Sequence, residues 1–122
     1  KKLKVGADKL TVAEDISTFS ISTDGKKIFY IDDEKTLYFQ KGPKAKAKKI
    51  HDDVESLTVT YKDIALFITD DDTLYYAKTS KGKKVASDVN GILATPNYAI
   101  YGTEDATFIS NGTQKFKKFL DN

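Results

Sequence analysis

An all-β repeat fold is the class this sequence predicts, and three observations carry the prediction. Apolar residues fall in short β-branched and aromatic runs of four or five, such as Ile28-Phe29-Tyr30-Ile31 and Ile64-Ala65-Leu66-Phe67-Ile68, with turn residues between them. No stretch of ten or more residues carries the 3.6-residue spacing of an amphipathic helix. The runs also recur at a near-constant interval. Val12, Ile50, Val85 and Phe119 occupy matching slots, 38, 35 and 34 residues apart.

The elements follow in order along 122 residues, one domain's worth of chain. A leading hairpin spans 1–16 and ends in Leu10-Thr11-Val12. Three units then run over about 17–54, 55–89 and 90–122. In the first, strands are expected around 18–22, 27–31, 36–40 and 47–50. Leu57-Thr58-Val59-Thr60 and Ile92-Leu93-Ala94-Thr95 match the first of these strands in the later units. Thr36-Leu37-Tyr38-Phe39 matches Thr73-Leu74-Tyr75-Tyr76 and Thr107-Phe108-Ile109-Ser110, and Lys48-Lys49-Ile50 matches Lys83-Lys84-Val85 and Lys117-Lys118-Phe119. Asp24-Gly25 signals a two-residue hairpin, since both positions tolerate positive φ. Four strands per unit of this size is the pattern of a β-propeller blade, so the expected fold is a β-propeller-type repeat of four-stranded antiparallel blades, about three plus the leading hairpin.

The stretch Phe19-Ser20-Ile21-Ser22-Thr23-Asp24-Gly25-Lys26-Lys27-Ile28-Phe29-Tyr30-Ile31, followed by Leu37-Tyr38, resembles the blade repeat of TolB-type (WD-like) propellers. Thr95-Pro96-Asn97 supplies the proline of that repeat, and Tyr61-Lys62-Asp63 departs from it. The resemblance covers about residue 10 onward. It implies a scaffolding, gating or binding role in a bacterial envelope or secreted protein, since such propellers serve all three purposes on one scaffold.

Propellers close with roughly four to eight blades, so three and a half leave terminal faces open. Two chains closing one ring of about seven blades, a segment of a longer propeller, and an open stack all fit the count. A chain that begins at Lys1 and has no Met reads as a mature form or a segment of a longer protein.

Charge is sorted by turn type. Strands b and c of each unit join through Asp32-Asp33-Glu34-Lys35, Asp70-Asp71-Asp72 and Glu104-Asp105. Units join through Glu14-Asp15, Asp52-Asp53 with Glu55, and Asp88, while the last strand runs into Asp121. In a propeller all these connections emerge at one end. That end gathers 15 of the 18 carboxylates with one lysine, Lys35, and the other collects Lys41, Lys44, Lys46, Lys78, Lys81 and Lys115. A protein of net charge +2 is thus expected to be strongly polarised, with an acidic end suited to a cation or a basic partner. Asp32, Asp33, Asp70, Asp71 and Asp72 are the candidates for a calcium ion, which takes six to eight oxygens, although no Asp-x-Asp-x-Asp-Gly loop is present. Glu34, Asp52, Asp53, Glu104 and Asp105, with Tyr61 and Tyr98 nearer the turns, are the candidate binding residues.

Several chemistries lack their residues. There is no Cys, so no disulfide, thiolate site or cysteine nucleophile can form. The 20 basic residues are all lysine, and without the Arg fork dedicated nucleic-acid binding is disfavoured. The single histidine, His51, beside Asp52 and near Ser56, is expected in a solvated connection rather than a triad. No apolar run approaches the length of a membrane span. The reading is a non-catalytic binding or scaffolding module acting through protein–protein contact, with no cofactor. Its alternatives are a ligand-binding or gating segment of a larger propeller-containing enzyme and a cation-responsive module. A homodimer completing a propeller ring is an assembly that fits the count of three and a half blades.

Overall fold

The structure, a computed structural model, describes residues 3–5, 10–13, 15–22, 24–60, 62–95, 97–111, 113 and 115–121. Its described residues contain strands and turns and no helix. A hairpin of β1 (Leu3–Val5) and β2 (Leu10–Ala13) precedes three antiparallel meanders. The first sheet holds β3 (Ile16–Ile21), β4 (Ile28–Asp32), β5 (Leu37–Gln40) and β6 (Lys48–His51). The second holds β7 (Val54–Val59), β8 (Ala65–Thr69), β9 (Leu74–Ala77) and β10 (Gly82–Ala86). The third holds β11 (Val89–Ala94), β12 (Ala99–Thr103), β13 (Ala106–Ser110) and β14 (Lys117–Asp121). In each sheet the strands neighbour one another in chain order, and the first strands β3, β7 and β11 touch from sheet to sheet. These are three four-stranded blades of a β-propeller-type fold.

The repeat extends to the irregularities. The second residue of each inner strand (Ser17, Glu55, Asn90) is a bulge, as is the third or fourth residue of each outer strand (Ile50, Val85, Phe119). The hairpin β1–β2 carries the outer bulge too, at Val12. By register it is therefore the outer half of a blade, placed where the sequence pattern puts it.

Each sheet has a preceding and a following side, because strand residues alternate between the two. Phe29, Ile31, Leu37 and Phe39 of the first sheet meet Ala65, Phe67 and Ala77 of the second in one buried cluster. Leu66 and Leu74 of the second meet Ala99 and Tyr101 of the third in another. Ile28 and Tyr30, on the preceding side of the first sheet, are buried with Ile16. Alternation that buries both sides of the middle strands explains why they read as continuous apolar runs. The repeated tyrosines sit in these layers: Tyr30 and Tyr101 are buried, and Tyr38, Tyr75 and Tyr76 are half-buried.

Two expectations are corrected. Asp24-Gly25 is part of a wider loop over 22–27, in which Gly25 has φ +71° and Asp24 does not adopt positive φ. The Ser22 Oγ accepts the Lys27 amide (3.0 Å) and donates to Asp24 Oδ1 (2.7 Å), which opens the turn beyond two residues. Thr60 and Thr95 accept the amides of Ile64 and Tyr98 in the same way. His51 is the last residue of β6, half-buried, and not a loop residue. Its ring lies 4.7 Å from that of Tyr75 and 5.7 Å from that of Phe67, so aromatic packing between the first two sheets accounts for it.

Candidate functional site

The acidic end is built by the backbone first. Asp15, Asp53 and Asp88 join one unit to the next with φ of 57°, 53° and 55°, a left-handed conformation that Asp tolerates better than most residues. The residue after each, Ile16, Val54 or Val89, is buried at the start of an inner strand. Amide-to-carbonyl bonds then tie these connections to the b–c turns: Asp33 to Asp15 (2.8 Å), Val54 to Lys35 (2.9 Å), Asp70 to Asp53 (2.9 Å) and Val89 to Asp72 (2.9 Å). Lys35 (64°) and Asp72 (60°) complete the left-handed set within the turns. The carboxylates of successive blades are thereby fixed side by side.

Their side chains divide into employed and unemployed. Asp32 accepts the amides of Glu34 and Thr36, both at 3.0 Å, and so shapes its own turn. Asp71 accepts the Thr69 hydroxyl, and this bond and one with Thr73 hold its carboxyl below the ordinary carboxylate range. Lys35 bridges Glu55 and Asp70 (3.2 Å to the latter), tying the first blade to the second. Hydrogen bonding to Glu55, then to Lys35, lowers Asp70, and the same two carboxylates raise Lys35. Asp52 is lowered by Lys49, 2.9 Å away, and also faces the Thr36 hydroxyl. Asp33, Glu34, Asp53, Glu104 and Asp105 make no side-chain hydrogen bond or ion pair among the described residues. Asp72, Asp88, Glu104, Asp105 and Asn90 line a groove of about 510 Å³ between the second and third blades.

The structure thus gathers Asp72, Glu104 and Asp105 in one groove, whereas Asp32, Asp33, Glu34, Asp52, Asp53 and Asp70 lie outside it, in the turns and connections of the first two blades. Glu55 lies within β7 rather than in a connection, at the bulge, which turns it toward Lys35. Asn90 at the matching bulge joins the groove, a position the turn-based reading did not single out. Asp70 and Asp71 point to different partners, and among the described residues no three His, Asp or Glu side chains are arranged to hold a metal ion. Tyr98 lies away from this end. It lines a hollow of about 430 Å³ with Ile109 and Lys117 at the basic end of the third blade. Tyr61 falls outside the described residues. His51 Nδ1 sits 2.6 Å from the Asp52 carbonyl oxygen, engaged by the backbone.

The basic end mirrors this arrangement. Lys26, Lys27 and Lys41 line a second groove of about 510 Å³ with Asp24, Asp63 and Phe39, between the first two blades. The Lys26 amide and the Ser22 hydroxyl hold the Asp24 carboxyl below its ordinary range.

With this geometry in hand, the chain can be set beside known structures. It superposes on the crystal structure of the N-terminal domain of Nup159 with a TM-score of 0.65 over 88% of its length, at 13% identity. The likeness is one of fold. The chain covers 30% of that protein's length. A weaker likeness, with a TM-score of 0.46 at 11% identity, covers 98% of this chain and 67% of a protein described under "The de novo evolutionary emergence of a symmetrical protein is shaped by folding constraints". No family model matches the chain, and no curated protein does.

Proposed function

We propose that the chain is a non-catalytic binding module whose acidic end takes a lysine-rich segment of a partner protein. One observation carries the reading: the acidic end holds more negative charge than its fold requires. Asp at positions 15, 53, 72 and 88 suits a left-handed backbone, and Asp32 and Asp71 cap their turns. Asp33, Glu34, Glu104 and Asp105 have no such duty, yet all four are acidic and exposed. Closely spaced exposed carboxylates raise a local negative potential that concentrates cationic groups. The groove between the second and third blades gives that potential a concave seat.

The test is a calorimetric titration with a ten-residue oligolysine and a glycine-serine peptide of equal length, at 50 and 300 mM NaCl. Saturable binding of oligolysine, weakened by salt and by Glu104→Gln with Asp105→Asn, is the expected result. Equal affinity for the two peptides would refute the reading.

A further inference from the structure

Among the described residues, no sheet lies against the following side of the third sheet. Cross-strand register puts two rows of residues there. Gly91, Gly102, Thr107 and Leu120 form the row nearer the acidic end, and Leu93, Ile100, Ile109 and Lys117 the row nearer the basic end. The corresponding side of the first sheet is buried by the second, and that of the second by the third. Here Leu93 is 60% exposed and Leu120 56%, and Phe119 at the adjoining bulge is 58% exposed. Large apolar side chains so exposed on one sheet face mark an interaction surface.

The pattern on this face differs from that between blades. Where the first two sheets present Ile31 and Leu37, or Ile68 and Leu74, the third presents Gly102 and Thr107. Where they have Ser20 and Thr58 on the inner strand, the third has Leu93, and where they have His51 and Ala86 on the outer strand it has Leu120. The central pair nearer the basic end stays apolar as Ile100 and Ile109, the central pair nearer the acidic end has flattened to Gly102 and Thr107, and Leu93 and Leu120 add apolar relief at the two margins. A face shaped like those between the blades would also keep the apolar pair nearer the acidic end, which here is Gly102 and Thr107.

We infer that this face is a self-association surface that takes the same face of a second copy, related by a two-fold axis running across the strands. That operation lays the acidic-end row of one copy over the basic-end row of the other. Leu93 and Ile100 then stand over Gly91 and Gly102, at both of which a Cβ would meet nothing within 4 Å, so the ridges have hollows to enter. Leu120 covers the aliphatic stem of Lys117. The same reversal sets Lys115 and Lys117 of one copy toward Glu104 and Asp105 of the other, an attractive pairing at both ends. A head-to-tail ring would instead place acidic end beside acidic end. A two-fold contact of this kind is self-complementary and closes at the dimer.

Sedimentation velocity on the wild-type chain from about 5 to 500 μM tests this, at 50 and 500 mM NaCl. Expected is a concentration-dependent particle of twice the 13.6 kDa chain mass, with dissociation strengthened several-fold by salt. Leu93→Lys and, independently, Leu120→Lys each raise Kd at least tenfold while the β-type circular dichroism is unchanged, because both side chains are already exposed. Phe19→Lys, on the opposite side of the first sheet, leaves the dimer intact. A monomer throughout the series overturns the inference. So does a dimer indifferent to Leu93→Lys, and a dimer broken by Phe19→Lys belongs to a head-to-tail ring instead.

Discussion

Replacing Asp15, Asp53 and Asp88 together by Asn separates the folding duty of these residues from their charge. All three sit at φ between 53° and 57°. Asn occupies that region at least as readily as Asp, and their neighbours are held by backbone bonds that the change leaves alone. The triple variant is therefore expected to unfold in urea within about 0.5 kcal/mol of the wild type. Its affinity for oligolysine should fall, since three carboxylates leave the acidic end. At about 0.2–0.5 kcal/mol for each exposed charge contact, Kd should rise roughly 3- to 10-fold at 50 mM salt. The matched triple Val variant removes the same charge and adds a β-branched side chain to a left-handed backbone, at about 1–2 kcal/mol per site. That total, about 3–6 kcal/mol, is a large share of the roughly 6–18 kcal/mol expected for a chain of this length. Urea unfolding followed by circular dichroism, beside calorimetry at 25 °C, reads both quantities. An Asn triple destabilised by more than about 2 kcal/mol would show that the charges themselves hold the connections. Undiminished binding by a stable Asn triple would show that the partner does not read them.

Two further outcomes follow from packing and titration. Phe67 is fully buried and stacks on Tyr75 at 5.3 Å, so Phe67→Ala should cost about 3–5 kcal/mol, while Phe119→Ala should cost under about 0.5 kcal/mol in the monomer. Similar urea midpoints for the two variants would mean that the sheet faces are wrongly assigned. Asp24, Asp52, Asp70 and Asp71 all lie below the ordinary carboxylate value, so the stability they add is complete at neutral pH and fades as the pH falls through about 4. Lys35 and Lys49 lie above theirs, so their share persists until the pH climbs past the usual lysine range. The urea midpoint should be flat between about pH 6 and 9 and decline below about pH 4.5, modestly, because these groups are exposed. A midpoint that rises on acidification would contradict the assignment.

The strands were legible because apolar alternation and turn residues repeat together. Val12, Ile50, Val85 and Phe119 align in the sequence, and the structure makes all four the outer-strand bulge. The sorting of Asp and Glu to one end was legible for the same reason: once the strands alternate in direction, every second turn shares an end. What could not be read was three-dimensional packing. His51 looked like a loop residue because Asp52-Asp53 follows it, and only the approach of Phe67 and Tyr75 from the next blade shows its place. Asp24-Gly25 has the composition of a tight hairpin, but the Ser22 hydroxyl, accepting an amide five residues on, widens the loop. The groove holding Asp72, Asp88, Glu104 and Asp105 joins residues more than 30 positions apart, a distance set by the blade repeat and by no local motif.

The two ends of the molecule show how one repeat can specify fold and surface at once. A turn needs only a residue that tolerates its backbone, and Asn, Gly, Ser or Asp all qualify. The chain uses Asp or Glu repeatedly on one end, whereas on the other it surrounds the turns with lysine. Random choice among turn residues would mix the two signs, and ion pairing would then neutralise them locally. Instead, Lys35 is the one lysine of the acidic b–c turns, and it spans two blades in place of screening the groove. The groove's own carboxylates, Asp72, Asp88, Glu104 and Asp105, stay without a cationic side chain among the described residues. A fold under selection for stability alone gains by placing a lysine beside them. Leaving them uncompensated is intelligible if the compensating charge arrives on a partner, and one lysine introduced at Asn90 offers the sharpest check. Asn90→Lys should hold or raise the urea midpoint by relieving like-charge repulsion and should weaken oligolysine binding in the same protein. A variant that gained stability and still bound the peptide undiminished would remove the groove from the interface.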